Sequence, residues 1–120
     1  MDMLKTKAEF DFIYKKGFYR HSKEFVLYVY RDKILDSTSK LGLKLGLSVS
    51  KKVGNAVKRN LIKRRIKALF QEFEKTLSLI GCRIVFVAKE GVYLLSFQDL
   101  RKNILDCLSF VLHKLGGQKI

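Results

Sequence analysis

With 120 residues, 48% of them hydrophobic and nine of them phenylalanine, the chain can bury one core of single-domain size, which excludes a disordered chain and leaves no room for two independent domains. Its net charge of +14 is extreme for so small a body and points to an anionic partner, nucleic acid or a membrane surface. Cys82 and Cys107 stand among apolar neighbours without a companion at metal-ligand spacing, so they read as reduced core thiols rather than a disulfide framework or a metal site. The opening "MDMLKTKAEF" lacks an apolar targeting region and no window approaches 18 apolar residues, so a soluble, cytoplasmic protein is expected.

Taken in chain order, Thr6 with Glu9 three residues on predicts a capping box, opening a helix that stops before Gly17. "EFVLYVYR" (24–31) is a strand by its aromatic and β-branched content, and "DKILDSTSK" (32–40) a loop. In the next strand, 43–50, Leu43, Leu45, Leu47 and Val49 face one way, and Lys44, Gly46, Ser48 and Ser50 the other. Leu41 to Leu43 leave open whether a hairpin or a bulged strand precedes residue 44. Gly54 and Asn55 end the strand, and Asn55 caps a long helix reaching about Leu79. "CRIVFVAK" (82–89) is a further buried strand. Ser96 with Asp99 opens a last helix whose stripe of Leu100, Ile104, Leu108, Val111 and Leu115 ends at Gly116-Gly117. The expected order is αβ(β)βαβα: a single α+β domain, an α/β sandwich with helices packed on a central sheet that is antiparallel or mixed.

The charge is concentrated in one place. From Ser37 to Gln71 there is no Asp or Glu, while ten Lys or Arg occur. On a helical wheel Ile62, Ile66, Leu69, Phe70, Phe73 and Leu77 form the core face. Arg59, Lys63 and Lys67 run along one flank, with Asn60 and Arg64 beyond them, and Lys58 and Arg65 lie on the other. A charge run is usually a solvated face, but solubility alone would intersperse both signs, and like charges four residues apart repel. A row of cations about one turn, or roughly 5.4 Å, apart suits successive phosphates of a polyanion.

Catalysis by the chain's own side chains finds no support. His21 and His113 have no partner in sequence and read as surface residues, and the acids Asp2, Glu9, Asp11, Glu24, Asp32 and Asp36 are scattered, without the paired carboxylates of a two-metal nuclease. No catalytic or metal-ligating residue is assigned. Helix-turn-helix spacing is also absent, which argues against DNA.

"KKVGNAVKRNLIKRRIKALF" closely resembles the signature of the bacterial ribonuclease P protein component, K-x-G-N-A-V-x-R-N-x-x-K-R. "EFDFIYKKG" resembles that family's first helix, "FVLYVY" its first strand and "GLSVSKK" the strand entering the signature, so the likeness spans roughly residues 4 to 115 of a single domain covering 1–120. It implies a left-handed strand–helix–strand crossover, against the usual handedness. It also implies a function: the protein is a subunit of the ribonucleoprotein endonuclease that removes the 5′ leader of precursor tRNA, a hydrolase in which the RNA carries the chemistry. Mg²⁺ is then required by the ribonucleoprotein and held mainly by RNA.

By that resemblance Lys52, Asn55, Arg59, Asn60, Lys63 and Arg64 contact the catalytic RNA, with Lys51, Lys58, Arg65 and Lys67 in the same basic surface. The leader-binding cleft is implied at Phe10, Tyr14, Val26, Tyr28, Ser48 and Lys89, and stacking aromatics beside cations suit single-stranded RNA. Phe10 reads equally well as core, and Phe12, on the opposite side of the helix, as a core or packing aromatic. The sequence departs from the pattern at Leu61, where a third basic residue is common, and at Glu90, where a second basic residue is frequent; Arg65 is an added cation. The alternative reading is a ribosomal or ribosome-assembly RNA-binding protein of similar basic α/β fold, and the Gly-Asn-Ala-Val-x-Arg-Asn run favours the ribonuclease P subunit.

Overall fold

The computed structural model describes residues 1–32 and 42–115, so the expected loop at 32–40, apart from Asp32, and the helix stop at Gly116-Gly117 lie outside the described residues. Strands β1 (Asp2–Met3), β2 (Phe18–His21), β3 (Phe25–Arg31), β4 (Lys44–Ser48) and β5 (Cys82–Ala88) form one mixed sheet in the order β1-β4-β5-β3-β2. Helices α1 (Lys7–Lys16), α2 (Ala56–Thr76) and α3 (Phe97–Lys114) complete the α+β fold. β4 and β5 pair in parallel with α2 as their crossover, while β5–β3 and β3–β2 are antiparallel.

The near-continuous apolar run of β5 follows from its central place, since Ile84, Phe86 and Ala88 are buried on one face and Val85 on the other. The first face holds the main core. Phe25, Leu27, Val29, Leu45, Ile84 and Phe86 meet Ile62, Ile66, Leu69, Phe70 and Phe73 of α2 and Leu100, Ile104, Leu108 and Val111 of α3. These are the stripes expected on both helices, with Leu77 and Leu115 partly buried at their ends and Cys107 and Leu112 added. Burying each large apolar side chain contributes about 1.5–3 kcal/mol. Both cysteines are free and buried, and desolvation raises both thiols above their ordinary pKa.

On the opposite face, among the described residues, α1 is the helix that covers the sheet, with Ile13 seated over Val85 and Leu4 in a smaller cluster joined by Phe10, Tyr28, Tyr30 and Val87. The Thr6–Glu9 capping box forms with both of its reciprocal bonds. Ten residues of helix cannot span five strands, so among the described residues part of this face stays open.

The expected elements are all present, and two further strands, β1 and β2, join them; of Leu41 to Leu43, which left a hairpin or a bulged strand open, Gly42 and Leu43 are described and lie outside any strand. β1 has two residues, and all four of β2 are exposed, so neither carried an apolar alternation. Helix α2 stops at Thr76, short of the expected Leu79, because the chain turns at Leu79 to enter β5: the Cys82 amide donates to the Leu79 carbonyl (3.1 Å), which puts Leu79 into the core. Phe12 packs its edge on Tyr30 (centroids 4.9 Å apart) yet remains 39% exposed, a packing aromatic at the rim rather than a core residue.

Candidate RNA interface

Two surfaces bring the expected residues together, the start of α2 and the open sheet face. A short 3-10 turn at Lys51–Val53 carries the chain from β4 to Gly54, where an added Cβ would lie 3.0 Å from the Lys58 side chain. Asn55 then caps α2, its side chain accepting the Lys58 amide at 3.0 Å. Lys51, Lys52, Asn55, Lys58, Asn60, Arg64 and Lys67 are exposed, and Arg59, Lys63 and Arg65 are partly buried against the helix flanks. Among the described residues none of these cations forms an ion pair. The buried Nε of Arg59 likewise has no acceptor among them. Lys58 lies over the Tyr93 ring, 5.0 Å from its centroid. Leu61 is partly buried and belongs to neither core cluster.

The sheet register assembles the second surface. Tyr19 pairs with Tyr28, Tyr28 with Val85, and Gly46 with Val85; one step along, His21 pairs with Val26, Val26 with Val87, and Ser48 with Val87. The first row is partly roofed by α1, where Phe10 presses on Gly46 so closely that a Cβ there would come within 2.8 Å of its ring. Phe10 is therefore both packed and half-exposed. Tyr14 continues the aromatic line, its ring 6.3 Å from Phe10 and 4.9 Å from Tyr28, edge to face with the latter. Burial raises the Tyr14 hydroxyl above its ordinary pKa, opposed by a hydrogen bond with Ser48. Val26 is only 6% exposed and lies in the floor of this face. At the open end, the Lys89 ammonium donates to the Ser22 carbonyl at 2.9 Å and approaches His21 Nδ1 at 3.4 Å.

Val26, Tyr28, Ser48 and Lys89 thus lie on the sheet face that Phe10 and Tyr14 of α1 partly roof, and the expected basic residues lie on the 3-10 turn and the N-terminal part of α2. The two surfaces meet: a cavity of about 410 Å³ is lined by Ser50, Lys52 and Val53 from the signature turn and by Lys23, Ala88, Lys89 and Glu90. The exposed Glu90 leaves Lys23, Lys52 and Lys89 in excess there. Sequence reasoning missed Tyr19, His21 and Lys23. Both histidines are exposed as expected, but His21 sits at the cleft; the signal that could have found it, alternation along β2, is only four residues long.

Among the described residues no three His, Cys, Asp or Glu side chains come together to hold a metal ion. Several acids are engaged elsewhere: Asp32 with Arg83, Glu72 with Arg101, Glu74 with the N-terminal amine and Asp11 with Lys7. No described helix is long and apolar enough to cross a membrane.

A basic α+β domain with a cation-rich helix start beside an open aromatic sheet face belongs to the class of small basic domains whose charge suits an anionic partner. The comparisons with known proteins make it specific. The family profile described as Ribonuclease P matches residues 1–111. The ribonuclease P protein component of Helicobacter pylori (strain J99 / ATCC 700824) is 41% identical over 125 aligned positions, covering 92% of this chain and 76% of that protein. That of a Nitratiruptor species is 49% identical over 105, covering 88% and 87%. Among solved structures, the Staphylococcus aureus RNase P protein superposes with a TM-score of 0.77 at 31% identity, covering 92% of this chain and 94% of that one. The Thermotoga maritima RNase P protein shares the fold, with a TM-score of 0.72 at 22% identity over 88% and 94%. The chain belongs to the ribonuclease P protein component family and is thereby a subunit of the ribonuclease P endoribonuclease.

Proposed function

We propose that the chain binds the catalytic RNA of ribonuclease P through the start of α2 and the single-stranded 5′ leader of precursor tRNA through the open sheet face, so that the ribonucleoprotein removes the leader in the cytoplasm. The observation that carries this reading is the lysine-lined cavity between the signature turn and the end of β5, because it sets Lys52 of the signature turn beside Lys23 and Lys89 at the end of the sheet face. A polyanion running off the sheet meets Lys89, Lys23 and Lys52 before reaching α2.

The division of labour follows from side-chain chemistry. Cations on α2 that form no ion pair among the described residues neutralise phosphates and release their counterions, which gives affinity with little dependence on sequence. The rings of Phe10, Tyr14 and Tyr28 offer faces to unstacked bases, which a mature tRNA without a leader does not present at that site. Mg²⁺ belongs to this scheme as a requirement of the ribonucleoprotein, held mainly by RNA; the chain supplies no ligand cluster of its own among the described residues. Its contribution is to bring two polyanions together and to hold the leader in place.

The test is reconstitution. The purified chain alone should leave precursor tRNA intact. Combined with a bacterial ribonuclease P RNA, it should restore 5′ processing at Mg²⁺ concentrations where that RNA alone is poor. Cleavage by an RNA-free preparation, or no gain over RNA alone, would reject the reading.

A further inference from the structure

Strand β2 is an edge strand whose two faces are used differently. On the helix side, Arg20 lies over the Phe110 ring of α3, 3.9 Å from its centroid, which holds the strand down. On the cleft side Tyr19 and His21 carry no such cover, and Tyr19 is 56% exposed. Tyr19 extends the aromatic line beyond the expected cleft, with its ring 5.5 Å from Tyr28 and inclined by only 35°, against 69° for the Tyr14–Tyr28 pair. His21 stands perpendicular to Tyr19, the centroids 5.4 Å apart.

We infer that β2 adds a nucleotide subsite to the leader cleft, with Tyr19 as the stacking face for one further base and His21 as a hydrogen-bond donor beside it. The inference rests on the proposed leader-binding role of that face. The Lys89 ammonium lies 3.4 Å from His21 Nδ1, so the imidazole stands directly beside a fixed cation, and an imidazole ring carries at least one N–H. A nucleotide over Tyr19 therefore finds a ring face, an N–H donor and the Lys89 charge within one patch, a combination that suits a base together with its phosphate. The nearest acid on this turn, Glu24, accepts from the Ser22 hydroxyl at 3.4 Å. The occupant is single-stranded, because duplex RNA keeps its base faces stacked and inaccessible.

The experiment measures the affinity of the reconstituted ribonucleoprotein for precursor tRNAs with a graded series of leader lengths, from none upward. Wild-type affinity should climb with length to a plateau. Tyr19→Ala should reach its plateau one nucleotide earlier, with the final step of roughly five-fold or more removed and the shorter leaders unchanged. Tyr19→Phe should restore that step, and His21→Ala should diminish the same step. A Tyr19→Ala curve superimposed on wild type, while Phe10→Ala in a folded protein lowers every leader-bearing substrate, would overturn the subsite and leave the cleft standing. Equal losses at every length, the leaderless substrate included, would also overturn it by showing that Tyr19 acts on the fold or on the catalytic RNA. A wild-type curve flat with leader length would overturn the cleft itself, and the subsite with it.

Discussion

Phe10 and Gly46 are in contact across the α1–sheet boundary, at a distance that admits no side chain on residue 46: an added Cβ would fall 2.8 Å from the ring and 2.9 Å from Leu4. Gly46→Ala should therefore lift Phe10 and α1 off the sheet. Overpacking of this kind costs about 1–3 kcal/mol, and chemical denaturation should show a loss of that order. Affinity for leader-bearing tRNA should fall as well, while affinity for mature tRNA stays near wild type. An unchanged denaturation midpoint would show that α1 adjusts freely and does not set the width of the cleft.

The cationic row on α2 has a thermodynamic signature. Arg59→Ala and Lys63→Ala should each weaken binding to the isolated catalytic RNA and each reduce the slope of log affinity against log salt by roughly 0.7 to 0.9, one phosphate contact apiece. A salt titration measures this directly. If both variants keep the wild-type slope, the RNA surface lies elsewhere.

Asn55 serves as a helix cap and, on the proposed reading, faces RNA, and two substitutions separate these roles. Asn55→Ala removes the acceptor of the Lys58 amide and should cost about 0.5–2 kcal/mol of stability. Asn55→Asp keeps an acceptor, and a negative charge suits a helix N-terminus, so stability should hold. It nevertheless introduces an acid into an acid-free stretch, and RNA affinity should drop. Comparing thermal melts with RNA titrations for the two variants tests the assignment; wild-type RNA affinity in Asn55→Asp would place RNA away from the cap.

Glu72 links α2 to α3 through Arg101, whose hydrogen bond holds the Glu72 carboxyl below its ordinary pKa. A carboxylate with a depressed folded-state pKa stabilises the fold above its unfolded pKa, and that stabilisation is lost as pH falls through the folded value. Glu72→Gln should thus be less stable than wild type at neutral pH, with the gap closing in the acid range below the ordinary glutamate pKa. The pair is exposed, so the gap should be small and shrink with added salt. Denaturation curves across pH check the sign, and a gap that widens on acidification would contradict it.

Local chemistry was legible in the sequence wherever a signal ran for several residues. The Thr6 and Asn55 caps, the apolar stripes of α2 and α3 and the alternation of Leu45 and Leu47 against Gly46 and Ser48 all rest on periodicities or hydrogen bonds that neighbours in the chain satisfy among themselves. The signature from Lys51 to Lys67 was legible for the same reason, since its cations follow one another along a single turn and the helix it leads into. What only the tertiary structure decided depends on which strands pair. Tyr19 stands beside Tyr28 through the short β2–β3 hairpin, and His21 comes beside Lys89 because β3 in turn pairs with β5 from a distant part of the chain. Strands β1 and β2 escaped notice because they are too short to show a period, and they exist because neighbouring strands satisfy their backbone hydrogen bonds. Phe10 could be read as core or as contact, and tertiary packing makes it both: the missing side chain at Gly46 lets one edge of its ring bury while the rest faces the open sheet.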